Sequence, residues 1–320
     1  MKPDLWAATL DDFHSDDAPM QRCLELARLA ARTDLPILVV GESGTGKTLL
    51  ARAIHNSSRR AAAPFVSFNA AALSDTLLDS QLFGHEKGAF TGADRAVRGK
   101  FELAHEGTLF LDEIADMSAA AQAKILRAVE YGQFERLGSE ALRVADVRLI
   151  SATHWPLSRL VAVDRFRKDL FYRISGITLA LPPLRDRPHD LRALIAAEVL
   201  LANRKEAKTV VAFDQTAADL LLAYPWPGNL RELSRVVHTA VALSPGEIIS
   251  AEAIFLAPLE TLPVPVTPTA TAATGPDGDL SLRAVERRHI GDVLARLGGN
   301  KRQAARVLGL SRSTLDRKLS

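Results

Sequence analysis

The sequence predicts an α/β protein: a parallel sheet covered by helices on both faces, then a helical subdomain and a small all-α helix-turn-helix end. Three observations carry this expectation. Short apolar runs (LPILVV, FVSF, GTLFLDE, VRLISAT) alternate with helical patterns at 47–56, 118–131 and 156–173, and strand alternating with helix is the mark of a parallel sheet. From about Leu184 the strand-like runs stop, and HDLRALIAAEVLLANRK, DQTAADLLLAY and NLRELSRVVHTAVAL each place apolar residues at helical spacing. Charge is also unevenly placed. Residues 281–320 carry ten Lys/Arg against three acids, a net +7, which leaves the preceding 280 residues at −5 within a total of +2.

Taken in order, residues 1–17 form an acidic extension with no apolar signal core. The α/β unit spans 18–176 and opens with the amphipathic pattern APMQRCLELARLAARTD. The helical subdomain spans 177–257. Pro258, Pro263, Pro265, Pro268 and Pro276, mixed with Thr and Ala, mark a linker over 258–280 that has no means of building a core. In 281–320 a first helix ends at GGN, a second (KRQAARVLG) closes at Gly309, and a third starts from the N-cap Ser311. A short helix, a Gly-containing turn and a basic third helix are the helix-turn-helix arrangement. It places Arg312, Ser313, Thr314 and Arg317 toward the major groove and Lys318 toward phosphate. The apolar share of 47% is that of an ordinary globular protein, and no run approaches the roughly 18 apolar residues of a membrane span. A single cysteine, Cys23, rules out an internal disulfide and fits a reducing compartment. The expected location is cytoplasmic.

The sharpest motif is GESGTGKT. Gly41, Gly46, Lys47 and Thr48 satisfy the phosphate-loop pattern between a strand and a helix, with Glu42, Ser43, Gly44 and Thr45 inside the loop. Glycines let backbone N–H groups wrap phosphate oxygens, and the helix N-terminus adds its positive dipole end. Lys47 would neutralise the β- and γ-phosphates of ATP, and Thr48 would offer its hydroxyl to Mg²⁺. About 65 residues further on, the apolar run TLFLDE delivers Asp112 to the sheet edge as a second Mg²⁺ holder. Glu113 follows at once, placed to polarise an attacking water.

A second segment, GHEKGAFTGA, is too glycine-rich for a helix interior and too apolar for an idle loop. Its residues Gly88, Ala89, Phe90, Thr91, Gly92 and Ala93 have two readings: a partner-binding tip, or a tight turn with Phe90 folded into the core.

GESGTGKT, FGHEKGAFTGA, GTLFLDEI, FRKDLFYRI, LPPLRDR and WPGNLREL stand in the order and spacing of one family. From about Ala18 to Leu243 the chain resembles the AAA+ domain of bacterial enhancer-binding proteins, the ATP-driven activators of sigma-54 RNA polymerase. The tail resembles their Fis-type DNA-binding domain. The resemblance implies an AAA+ sheet with a helical lid and ATP hydrolysis with Mg²⁺. It also implies a hexameric ring and binding to enhancer-type DNA. It implies that Asn69 holds Glu113 back until ATP is sensed. Arg167 and Arg173 would be arginine fingers reaching a neighbouring subunit's phosphates, and Arg231 a lid arginine reading the γ-phosphate. Residues 88–93 would contact sigma-54, with Phe90 and Thr91 at the tip. EYGQFERLGSEALRVAD would form a neighbouring hairpin. Two positions depart from the family: Thr48, where Glu is usual, and His154, where Asn is common.

Two other classes share parts of this pattern. A replication or repair AAA+ loader has no use for GAFTGA. A DNA-binding repressor with a dead ATPase would not need Lys47, Asp112, Glu113 and the arginines together. With residues 1–17 too short for a receiver domain, control is expected through a separate regulatory protein acting in trans, as in the family's phage-shock and type III secretion activators.

Overall fold

The computed structural model describes residues 7–71 and 74–256, together with positions 290, 300, 301, 303, 305, 314 and 315. The chain divides into two units, Met1–Ala257 and Pro258–Ser320.

The first unit begins with helix α1 (Ala18–Ala31) and strand β1 (Ile37–Val40). Helix α2 (Lys47–Asn56), strand β2 (Phe65–Asn69) and helix α3 (Asp75–Phe83) follow. A small hairpin of β3 (Gly84–His85) and β4 (Val97–Arg98) leads to α4 (Lys100–Leu103) and β5 (Thr108–Asp112). Helix α5 (Ala119–Tyr131) precedes a second hairpin, β6 (Gln133–Glu135) with β7 (Leu142–Val144), then β8 (Arg148–Thr153). Helices α6 (Leu157–Ala162) and α7 (Lys168–Ile174) lead to β9 (Ile177–Ala180). The lid holds α8 (Pro188–Glu206), the two-residue strand β10 (Ala212–Phe213), α9 (Gln215–Ala223), α10 (Asn229–Leu243) and β11 (Ile248–Ile249).

The five long strands form a parallel sheet in the order β2-β5-β8-β1-β9. Their apolar runs are buried because helices cover both faces. One core packs α3, α5 and α7 against one face, through Leu78, Phe83, Ile125 and Leu170. The other packs α1 and α2 against the opposite face, through Leu24, Ile54 and Phe110. A third core, with Trp226, Leu233 and Val237, sits within the lid.

Four sequence expectations are corrected. The pattern at 156–173 is two helices rather than one, because Asp164 adopts a left-handed conformation (φ 55°) between them. Strand β9 pairs with β1, so the sheet extends past 176, where the α/β unit was expected to end. The lid contains a parallel bridge of β10 and β11, so strands do not cease at Leu184. Leu10, inside the expected extension 1–17, is buried in the α1/α2 core.

Arg148 starts β8 and is 1% exposed. Its guanidinium donates to the carbonyls of Ala30 (2.8 Å) and Ala31 (3.4 Å), closing the C-terminal end of α1, where the helix dipole favours a cation. Arg148→Ala removes charge-assisted bonds and leaves a void, so unfolding in urea is expected to show a loss of about 3 kcal/mol.

The segment before α1 is clasped to the lid. Asp17 accepts from the backbone N–H of His189 and Asp190 at the start of α8 and from the His189 ring (2.7 Å). Asp190 in turn accepts from Ser15 Oγ (2.7 Å), Asp16 N–H and Arg187. The Asp17 partner raises the His189 pKa. Burial alone would push Asp17 up, but hydrogen bonds from His189 and the α8 N-terminus outweigh it and hold its pKa low. The His189 contribution is therefore complete in acid and lost as pH rises through its elevated pKa. The Asp17 contribution is lost only as pH falls through its depressed one. Thermal unfolding should show His189→Gln costing more in mildly acidic buffer than in alkaline buffer.

Candidate functional site: a phosphate-binding loop under a helical lid

The loop between β1 and α2 is held from three sides. Gly41 N–H donates to Thr153 O at the end of β8, and Thr45 Oγ1 donates to Glu42 O within the loop (2.8 Å). The lid closes the third side. Leu230 N–H donates to Gly44 O (3.0 Å), Asn229 Nδ2 to Ser43 O (3.1 Å), and Arg231 Nη1 to Ser43 Oγ (3.0 Å). Gly44 has φ 80°, and a Cβ there would stand 2.3 Å from Gly228 O. Both backbone conformation and lid contact therefore demand glycine.

Lys47 is 7% exposed and folds back onto the loop, donating to Gly41 O (2.9 Å) and Glu42 O (3.2 Å). Its ammonium also stands 3.7 Å from Glu113 Oε1. Thr48 lies half-buried in the first turn of α2. Asp112 ends β5, paired in register with Asn69 of β2. Burial and the Glu113 charge raise the Asp112 pKa, against the pull of Lys47. A divalent cation would relieve that crowding of carboxylates. With the glycine loop at the start of α2 and the Lys47 ammonium beside it, the residues present are compatible with ATP and a divalent cation, which Thr48 and Asp112 would hold.

Glu113 adopts a left-handed backbone (φ 52°), a strained position for a side chain of this size. Its Oε2 bonds His154 Nδ1 (2.7 Å) and accepts from the His154 N–H (3.3 Å). Asn69, expected to hold Glu113, instead accepts from Ala71 N–H (2.8 Å), capping its own turn. In this structure the partners of the Glu113 carboxylate are His154 and Lys47.

The two candidate fingers are exposed and otherwise engaged. Arg167 pairs with Asp169 through two hydrogen bonds (2.7 and 3.1 Å), and Arg173 donates to Val129 O and Glu130 O at the end of α5.

The GAFTGA segment tips the β3–β4 hairpin. Gly88 N–H donates to Ala93 O (2.8 Å) and Ala93 N–H to Phe90 O (3.0 Å), so the tip closes on itself. Gly92 has φ 96° with open space around it, so conformation alone selects glycine there. Gly88, Thr91 and Gly92 are exposed, while Ala89 is half-buried. Ala93 is 6% exposed, turned inward by the closing bonds. Phe90 fits neither reading fully. It is half-buried with its ring edge-on to His85 (4.9 Å), and His85 Nδ1 bonds Ser80 Oγ. The second hairpin lies beside it. Leu137 exchanges backbone bonds with Gly84 and Glu86, and Arg136 bridges Glu86 and Glu102.

Of the expected DNA contacts, Arg312, Ser313, Arg317 and Lys318 lie outside the described residues, as does the 258–280 linker. Thr314 is helical and half-buried, beside buried Leu315. Two site residues were missed in the sequence, Arg185 and Asn229. Both sit within family motifs, LPPLRDR and WPGNLREL, without a local signal of their own.

Fold and site together define an AAA+ P-loop NTPase with its lid. Comparison with known families places the chain more closely. Residues 13–180 match the sigma-54 interaction domain, 185–263 the AAA+ ATPase lid domain and 281–320 the bacterial regulatory protein, Fis family. The chain belongs to the sigma-54 activator family. It is 46% identical over 305 residues to the transcriptional regulatory protein ZraR of Klebsiella oxytoca, covering 95% of this chain and 68% of that one. It is 44% identical over 306 residues to the regulatory protein AtoC of Escherichia coli K12, covering 94% and 65%. It thus spans about two thirds of the length of these relatives. Among solved structures, NtrX from Brucella abortus in complex with ATP matches with a TM-score of 0.70 and 31% identity, covering 96% of this chain and 68% of that one. RuvB of Thermotoga maritima, at 18% identity and a TM-score of 0.51 over 96% of this chain and 87% of that one, shares the fold. Among the described residues no helix is long and apolar enough to cross a membrane.

Proposed function

We propose that this chain hydrolyses ATP and uses the cycle to remodel the closed complex of sigma-54 RNA polymerase, bound to upstream DNA through its tail. One observation carries the reading: the GAFTGA tip stands on a hairpin inserted between two helices of an ATPase core whose phosphate loop, acidic pair and lid arginine converge. The ATP bound by NtrX supports the nucleotide, and the family match supports the polymerase partner.

In this reading the loop's N–H groups beyond Gly41 hold the phosphates while Lys47 leaves its carbonyls to meet them. Mg²⁺, when bound by Thr48 and Asp112, supplies charge neutralisation. Glu113 must let go of His154 before its carboxylate can orient water and take its proton. Arg167 and Arg173, exposed on one subunit, complete the site of the next in a ring, where a guanidinium stabilises the charge on the transferring phosphoryl group. The exposed tip, with Thr91 at the surface and Phe90 released from His85, is buried by sigma-54.

The direct test mixes the full chain with ATP, sigma-54 polymerase and a sigma-54 promoter, and measures phosphate release and open complexes. ATP-dependent opening is expected there and not at a promoter of the housekeeping sigma factor. Hydrolysis without opening would leave a motor with another target.

A further inference from the structure

A carboxylate in an anion-binding loop needs a reason. Glu42 immediately follows Gly41 and opens the phosphate loop, where a negative charge repels triphosphate oxygens. The lid answers it. Arg185, at the lid's first turn, grips Glu42 with both arms of its guanidinium (Nη2 to Oε1 2.6 Å, Nη1 to Oε2 2.8 Å). Asn229 adds a third bond to Oε2 (3.2 Å). Asn229 is wholly buried in a left-handed conformation (φ 51°) and is fixed by accepting from Leu184 N–H (2.7 Å), the residue before Arg185. The Arg185 contact holds the Glu42 carboxyl below its ordinary range, with burial opposing and Asn229 assisting.

Both partners of the ion pair are partly exposed, and such pairs add little to folding stability. What the pair does is set charge. With the lid docked, the loop's acidic residue is neutralised. Were the lid to withdraw, Arg185 would leave with it and the carboxylate would be bare.

We propose that Glu42 and Arg185 form a charge mask that couples lid position to nucleotide affinity: the docked lid hides a built-in repulsion, and the undocked lid restores it, favouring release. Glu42 is thus a positioning residue of the loop rather than a ligand of ATP. The proposal rests on the reading of the loop as an ATP site.

The mask makes an unusual demand on a pair of variants. Arg185→Met unmasks Glu42 and should raise the KM for ATP about tenfold, with a smaller change in kcat. Glu42→Gln alone should lower KM, because the acidic charge is gone while the Arg185 cation beside the loop remains. The double variant Glu42→Gln/Arg185→Met should return KM toward wild type, although it lacks both ionic partners. Raising the salt concentration should shrink the Arg185→Met defect and not alter the double variant's KM relative to wild type. Thermal melting of all three checks that each is folded. A lid merely loosened by loss of a contact, or an Arg185 that binds phosphate itself, predicts the opposite: the double variant stays as weak as Arg185→Met, which overturns the mask. A wild-type chain that neither binds nor hydrolyses ATP overturns the ATP reading and the mask with it.

Discussion

Glu113→Ala is expected to bind ATP with near wild-type affinity and to turn it over at least about 100-fold more slowly. The binding elements do not involve its carboxylate: Lys47 also bonds Gly41 O and Glu42 O, and the loop is fixed by Thr153 and the lid. What the variant removes is the group that orients water and takes its proton, an effect worth about two to four orders of magnitude. Affinity could even rise slightly, because a carboxylate 3.7 Å from the Lys47 ammonium no longer competes with phosphate for it. Equilibrium binding and single-turnover phosphate release on the same preparation separate the two effects. Full turnover would remove Glu113 from the reaction.

Arg167→Ala should lower hydrolysis by about 1,000-fold while leaving ATP affinity unchanged, because a finger contributes to the transition state of another subunit's site. In the isolated chain Arg167 is spent on Asp169, on the surface and outside the loop's own contacts. That placement predicts complementation. Mixed with a Lys47→Ala chain, which has an intact finger but a crippled loop, the Arg167→Ala chain should regain activity through hybrid interfaces. A wild-type rate per chain that does not change with protein concentration would count against the ring.

How much of this was legible in the sequence depends on whether the signal is local. The strands β1, β2, β5 and β8 announce themselves as apolar runs, and the phosphate loop as glycines and a lysine at fixed spacing between a strand and a helix. Strand β9 did not, because four residues beside Gly176 and Pro182 look like a loop until β1 offers its edge. The 156–173 pattern hid its break because apolar spacing runs on past Asp164, and a left-handed residue leaves no mark in hydropathy. In the site, residue types could be placed but not their pairings. Glu42 and Arg185 are 143 positions apart, and nothing local marks either as the other's partner. The pairing of Glu113 with His154 rather than Asn69 depends on how the ends of β5 and β8 present their side chains. Phe90 shows the same limit: its motif marks the loop, whereas its rest position against His85 is a tertiary fact.

In the proposed cycle, ATP hydrolysis drives promoter opening through the hairpin tip. Thr91→Ala tests it most directly, since Thr91 is exposed at the tip and lies outside the phosphate loop and the Asp112–Glu113 strand end. Phosphate release and open-complex formation at a sigma-54 promoter are measured in parallel. Thr91→Ala should hydrolyse ATP within about twofold of wild type and lose promoter opening; normal opening by this variant would mean that the tip does not carry the work.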